Sequence, residues 1–461
     1  MPNEKELLLA FYGDDFTGST DALEFLTLSS VKTILFLSNP TLADLKQFPD
    51  LQAVGVAGKS RSMSPSEMET ELIPAFKNIK SLNAAQVHYK VCSTFDSSPH
   101  VGSIGKAIEI GAEIFEQKQV MVSPAAPHLS RYLTFGHLFA RMGTAGNGEI
   151  YRIDRHPSMS KHPVTPATES DLTIHLSKQT QQSIGLINLT VTEQGENAIL
   201  EDLKAKSDQK IIFFDAINQN HLQQIGEVFL KLGQTKTLFS VGSSGIEMAL
   251  GLAWKNAGII QSNKEFKHPG KAQPLLVISG SCSPVSAQQI NFALENGFVG
   301  IALTSDIMDT QKQESIIKEI SEQLIHQLKQ NRNVVLHTSL GNQDPRIAAT
   351  ENYLKSLNIQ ENDIQKQSSK RFGKALGTLV KIILKEVKLQ RILFAGGDTS
   401  SYAASELEIT ALEMIAPLAP GAPLCKAIAK DQLINGLELN FKGGQVGTTN
   451  YFIKVLNGEK I

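Results

Sequence analysis

Short apolar runs alternating with longer amphipathic stretches, from Leu7 almost to the C-terminus, constrain this chain more than any other feature. Thr33–Leu37, Ala53–Ala57, Val87–Val91, Val120–Ser123, Ile184–Leu189, Ile211–Phe214 and Thr237–Val241 are rich in Val, Ile, Leu and Phe and follow no period-2 alternation. Strands of this kind, separated by helix-length segments, predict a mainly parallel sheet flanked by helices, because a strand covered on both faces needs no polar side. The rhythm breaks over Asn256–Pro274, a polar, basic and Gly-containing stretch. It restarts with Leu275–Ser279, Phe298–Leu303, Val334–Thr338 and Ile392–Ala395, with helices expected after Ser283-Pro284, over Lys312–Lys329 and over about Gln367–Val387. The 461 residues exceed one ordinary domain. Two α/β domains are therefore expected, 1–256 and 274–461, joined by a linker at 257–273, with ligand sites facing a shared cleft.

Open α/β sheets bind ligands at the carboxyl ends of their strands, so the residues there are the candidates for chemistry. Leu7–Phe11 leads into Tyr12-Gly13-Asp14-Asp15-Phe16-Thr17-Gly18-Ser19-Thr20-Asp21, which sets two carboxylates where a strand gives way to a helix. Such a pair can take a proton from a hydroxyl, hold a polyol or coordinate a cation. Three further strand ends are chemically unusual: Gly58-Lys59-Ser60-Arg61-Ser62, Lys90-Val91-Cys92-Ser93-Thr94-Phe95-Asp96 and Ser123-Pro124-Ala125-Ala126-Pro127. Arg61 offers a planar fork for a carboxylate, Lys90 a point charge, and Ser93, Thr94 and Asp96 partners for sugar hydroxyls. Together they describe a pocket for a hydroxylated acid. Thr144–Thr168, rich in Gly, His, Pro and Arg, reads as a long loop that could close over it.

In the second half, Ser279-Gly280-Ser281-Cys282-Ser283 and Ala395-Gly396-Gly397-Asp398-Thr399 follow predicted strands, and Gly443-Gly444-Gln445-Val446-Gly447-Thr448 is expected to open the last helix. Small residues there bare backbone N–H groups to a phosphate. No GxxxxGK[ST] or GxGxxG pattern occurs in these turns, which argues against a Walker ATPase or a Rossmann dehydrogenase. A formal net charge of −2 argues against a nucleic-acid partner. Cys92, Cys282 and Cys425 are too scattered for a disulfide framework or a structural zinc site, and His137, His156 and His162 lack metal-ligand spacing. The N-terminal apolar run is far too short to span a bilayer, and a cytoplasmic protein without a membrane partner is expected.

DDFTGSTDAL, KVCSTFDSSP, the GHLF and HPVTP segments, FAGGDTSSYAA and GGQVGTTNYF, taken together and in order, resemble the four-carbon acid sugar kinases nearly end to end. The resemblance implies an N-terminal sugar-acid domain, a C-terminal nucleotide domain and ATP-dependent phosphorylation. It implies substrate binding by Asp14, Asp15, Arg61 and Lys90 with Val91, Cys92 and Ser93. It likewise implies ATP binding by Ser279, Gly280, Ser281, Gly396, Gly397, Asp398, Thr399, Gly443 and Gly444, with Gly447 in the same late cluster. Asp15 or Asp14 is expected to orient or deprotonate the accepting hydroxyl, Lys90 and Arg61 to hold the acid, and Asp398 to reach Mg²⁺ directly or through water. Between Leu129 and Ser158 the chain departs from the commoner members and is similar to oxo-isoapionate kinases, which keeps a branched five-carbon acid beside oxo-tetronate, threonate and erythronate. The rival readings are a metal-dependent lyase or dehydrogenase of the same acid and a non-catalytic sensor. Oligomeric state stays open, a homo-oligomer included.

Overall fold

The computed structural model describes residues 7–142, 148–162, 164–261 and 265–460, and within these not the side chains of Asn362 and Asp398. Two compact units are present, Met1–Glu265 and Phe266–Ile461.

The first unit begins with β1 (Leu9–Gly13), β2 (Thr33–Phe36), β3 (Ala53–Ala57), β4 (Gln86–Lys90) and β5 (Val120–Ser123). After these come β6 (Arg131–Thr134), β7 (His137–Arg141), β8 (Ile150–Arg152), β9 (Ile184–Ile187), β10 (Ile211–Phe214) and β11 (Leu238–Gly242). Eight of them form a parallel sheet in the order β2-β3-β1-β4-β11-β5-β10-β9. From β1 the chain moves toward β2 and from β4 toward β5, on opposite sides, so the crevice between β1 and β4 is the switch point where such sheets take ligands. Every residue of β1 and β4 is buried, which is why their sequences read as continuous rather than alternating. On one face Tyr12, Tyr89, Phe76, Phe115 and Phe239 pack edge-on, tilted or stacked, fastening these strands to the helix Pro65–Ser81. That helix starts from a capping box of Ser64 and Glu67 with Pro65 in its first turn.

The stretch expected as one long loop contains β8, and with β6 and β7 it builds a separate three-stranded antiparallel sheet. The β6–β7 turn places Phe135 and Gly136 at φ 48° and 78°, the mirror-image turn whose twist suits a hairpin. The buried Asp215 carboxylate accepts from the N–H groups of Phe135, Gly136 and Leu189, which ties the hairpin to the strand ends of β9 and β10.

The second unit contains β12 (Leu276–Ser279), β13 (Val299–Ala302), β14 (Val334–His337), β15 (Arg391–Ala395), β16 (Ile409–Ala419), β17 (Ala422–Ala429) and β18 (Glu438–Lys442). β13-β14-β12-β15-β18 are parallel neighbours, and the β16–β17 hairpin joins antiparallel through β17. Here the switch point falls between β12 and β15. The expected helices stand at Pro284–Glu295, Gln313–Lys329 and Ile364–Glu386.

Candidate active site

One row of residues crosses the carboxyl edge of the first sheet: Ala57, Gly13, Lys90, Gly242 and Ser123 lie side by side on neighbouring strands. A Cβ on Gly13 would overlap Ser19 Oγ, and one on Gly242 would overlap the Ser123 carbonyl. Only Lys90 has a long side chain in this row, and it lies buried. Lys90 Nζ donates to Val91 O at 3.1 Å and pairs with Asp21 Oδ2 at 3.5 Å. Burial works against its charge, but Asp21, Glu247, Asp14 and Asp15 outweigh burial and raise its pKa above the ordinary lysine value. Lys90 is therefore ionised at neutral pH.

Beside it, the Arg61 fork holds both aspartates. Nε and Nη2 donate to Asp14 Oδ2 and Oδ1 at 3.0 and 2.7 Å, while Nη1 and Nη2 donate to Asp15 Oδ2 and Oδ1 at 3.0 and 2.8 Å. The sequence suggested a fork open to a substrate carboxylate. In the structure it is engaged internally, because Asp14 and Asp15 are its immediate neighbours and would otherwise repel each other. Asp15 also caps the helix Phe16–Leu28, accepting from Gly18 N–H at 2.8 Å and from the Thr17 hydroxyl at 2.8 Å. Gly18 has to be small: a Cβ there would overlap the Asp15 carboxylate and stand 3.1 Å from Lys90 Nζ.

The two carboxylates differ. Burial raises the Asp14 pKa and the attraction of Arg61 only partly offsets it. Burial also works to raise Asp15, but Arg61, Lys90 and the bonds from Thr17 and Gly18 bring it below the usual value. The Asp15 side chain is 19% exposed and that of Asp14 3%, so Asp15 is the one a substrate can reach.

Val91 N–H donates to Gly242 O at 2.7 Å, which fixes the start of the next turn. Cys92 Sγ lies 2.8 Å from Thr94 Oγ1, and burial pushes the thiol up to about 11, so it stays protonated. Ser93 is part-exposed on the same turn. Asp96 is set further out, lining a small cavity with Phe95, Ile153, Thr165 and His175.

Four titratable residues escaped the sequence reading. Asp21 lies one turn along the helix from Gly18 and is held near Lys90. Glu247 and His88 are fully buried, with His88 Nδ1 2.6 Å from Glu247 Oε1 and Nε2 3.1 Å from Gly242 O. Since Nε2 faces a carbonyl it must donate, so the Nδ1 contact holds a proton shared between ring and carboxylate. The fourth is Lys442, in the second unit.

There the three glycine turns converge. A Cβ on Gly280 would overlap Thr399, one on Gly396 would stand 3.2 Å from Ser281 N, and one on Gly444 2.6 Å from Ser281 Oγ. Gly396 adopts φ 123°, open to glycine alone. A Cβ on Gly397 would meet nothing within 4 Å, so this backbone borders open space at the N-terminus of the helix Gly397–Glu406. Gly443 is close only to Val446, and Gly447, at φ 90°, packs against Tyr451. The late cluster is a loop rather than a helix start, because the helix begins at Tyr451. Asp398 sits in the first turn of its helix, and its side chain lies outside what is described. Lys442 ends β18 in register with Ala395 and Ser279, fully buried. Its ammonium donates to Ser286 Oγ at 3.1 Å and lies 5.7 Å from the Tyr451 ring centroid. Burial lowers its pKa to about 7.

Among the described residues no group of three or more His, Cys, Asp or Glu side chains is placed to hold a metal ion, and no helix is long and apolar enough to cross a membrane. Fold and site define a two-domain α/β enzyme with an acid-and-cation cluster in one unit and a glycine-lined cradle in the other. Residues 9–250 match the sugar-binding N-terminal domain family and residues 276–452 the nucleotide-binding C-terminal domain family. The chain is 36% identical over 453 residues to the 3-oxo-isoapionate kinase of Paraburkholderia graminis, covering 98% of this chain and 94% of the relative. It is 28% identical to the 3-oxo-tetronate kinase of Pectobacterium atrosepticum, covering 97% and 98%. A solved Salmonella typhimurium structure shares the fold with a TM-score of 0.75 at 24% identity, covering 97% and 98%. The chain belongs to the four-carbon acid sugar kinase family and is a sugar-acid kinase.

Proposed function

We propose that the enzyme transfers the γ-phosphoryl group of ATP to a hydroxyl of a small sugar acid, with the branched 3-oxo-isoapionate favoured over 3-oxo-tetronate, threonate or erythronate. The observation that carries this reading is the Asp14–Asp15–Arg61 cluster set beside the buried, ionised Lys90 at a switch point. The higher identity to the 3-oxo-isoapionate kinase supports the branched acid. The sugar acid is assigned to residues 1–256 and the nucleotide to 274–461, with 257–273 between them.

Phosphoryl transfer depends chiefly on alignment and charge neutralisation. Asp15 is the reachable and ionised carboxylate, so it orients the accepting hydroxyl and takes its proton as the bond to phosphorus forms. Asp14 and Arg61 keep Asp15 in place, and Lys90 offsets the negative charge gathered there. The turns at Ser279–Ser281, Gly396–Thr399 and Gly443–Gly444 present N–H groups to the phosphates. Mg²⁺ suits this donor set, since it ordinarily rides on nucleotide phosphates with one or two carboxylates rather than in a protein cage. Asp398 is its proposed carboxylate. When bound, the ion would neutralise phosphate charge. A cytoplasmic location suits an enzyme supplied with ATP.

A coupled ADP-release assay over a panel of C4 and C5 sugar acids tests this. The highest kcat/KM is expected for 3-oxo-isoapionate, and ADP release with no acid in the panel would overturn the reading.

A further inference from the structure

Buried polar atoms without partners gather on the β5 side of Lys90, away from Arg61. Among the described residues they are Ser123 Oγ, both ring nitrogens of His128 and Nε of Arg131. Each such atom costs of order 1–3 kcal/mol when nothing replaces its lost water. Several at one strand edge mark a place where a ligand supplies the missing partners. The edge runs in a definite order: Arg61 follows β3, the aspartates follow β1, Lys90 ends β4, and Ser123 ends β5 two strands further on.

His128 lies in the short turn Pro127–Leu129 just beyond Ser123, and Arg131 opens β6. The His128 ring is 4.1 Å from the ring of Phe25, on the same helix whose Gly18 and Asp21 face Lys90. One helix thus lines both ends of a single strip. Burial and the positive charges of Lys90 and Arg131 lower the His128 pKa to about 4. At neutral pH the ring therefore has one N–H to donate and one nitrogen to accept. Arg131 donates from Nη1 to Leu129 O, which fixes the guanidinium and leaves its Nε–H directed elsewhere.

We propose that His128 and Arg131, with the Ser123 hydroxyl, form the subsite that binds the carboxylate end of the substrate, opposite the hydroxyl held at Asp15. This rests on the kinase reading above. It assigns the selection of an acid to residues of the β5–β6 connection, and it accounts for an Arg61 fork already occupied by aspartates.

The test compares wild type, His128→Ala, His128→Gln and Arg131→Gln in the ADP-release assay, using the best acid of the panel and its neutral carboxamide. The Arg131 and His128→Ala variants should raise KM for the acid of order 10-fold or more while KM for ATP stays within about twofold and kcat changes little. Preference for acid over carboxamide should shrink in the same proportion, with His128→Gln recovering part of it. Wild-type KM and preference in folded His128→Ala and Arg131→Gln would overturn the subsite and leave the kinase reading intact. Failure of wild type to turn over any acid would overturn the reading itself. Should the variants not fold, the full-length protein labelled with ¹⁵N-histidine answers directly. Addition of the acid without ATP should move the His128 ring nitrogen signals, and unmoved signals at saturating acid would overturn the proposal.

Discussion

Lys90 and Lys442 are buried lysines at strand ends, one in each unit, each in a row of small residues. Lys90 ends a strand that borders its unit's switch point, and Lys442 ends the strand next to one that does. Their electrical surroundings are opposite. Lys90 is surrounded by carboxylates that keep it charged, whereas Lys442 among the described residues meets a hydroxyl, a carbonyl and an aromatic face, and burial alone brings its pKa to about 7. The first unit supplies its own counter-charge and so suits a ligand of mixed hydroxyl and acid character. The second leaves a cation's site waiting for negative charge, which the phosphates of a nucleotide would provide.

Lys90→Met gives the largest contrast. It strands Asp21 without its cation, and breaking a buried pair in this way costs about 3–5 kcal/mol. Calorimetry of the ligand-free protein should show a clear fall in Tm for Lys90→Met and none for Lys442→Met, whose charge has no ion-pair partner among the described residues. Equal losses would erase the distinction between the two lysines.

Next in size is Asp15→Asn, expected to reduce kcat of order 10²-fold or more while ADP affinity is unchanged. Asp14→Asn should act mainly on stability. A larger kcat loss in Asp14→Asn than in Asp15→Asn would reverse the roles given to the pair.

Lys442→Met should weaken ADP binding of order 10-fold. Because the free lysine titrates near 7, most of it is neutral at pH 8, and phosphate binding should draw a proton onto it. Titration calorimetry in two buffers of different ionisation enthalpy should show proton uptake that Lys442→Met removes. The sign for the ligand-free protein follows from the same depression. The unfolded lysine holds its proton up to about 10.4, so the lysine's contribution to stability grows as pH rises from about 7 toward that value. Wild type should gain stability relative to Lys442→Met over that range, and a gain on acidification would contradict the assignment.

The smallest effect is that of Gly397→Ala. Its added methyl meets no protein atom, so Tm should hold, and a severalfold loss of ADP affinity would place nucleotide against that backbone. Unchanged affinity would move the phosphates elsewhere in the cradle.

The parallel strands were legible because burial on both faces turns them into unbroken apolar runs, as in Leu276–Ser279 or Ile211–Phe214. The β16–β17 hairpin was not, because Pro417, Pro420 and Pro423 break up its sequence, and β8 lies in the Thr144–Thr168 stretch, whose Gly, His, Pro and Arg residues read as a loop. Asp14, Asp15, Arg61 and Lys90 could be picked out since charge at the end of an apolar run is conspicuous. Lys442 has that same signature in Leu439-Asn440-Phe441-Lys442, but Gly443 and Gly444 follow it directly and carry the stronger pattern of a phosphate turn. Glu247 could not be found, because its partner His88 lies 159 residues away and only the fold brings them together.

The small residues flanking Lys90 also bear on how such a site can change over generations. Moving the cation one strand sideways, to Gly13 or Gly242, requires a long side chain to appear where a single carbon already collides with Ser19 or the Ser123 carbonyl, and Lys90 to shrink at the same time. Either step taken first yields a chain with two long side chains in the row or with none, and natural variation proceeds one codon at a time. The charge is thereby fixed to its strand by the route any descendant would have to take, and new substrate preferences are left to arise in the β5–β6 connection.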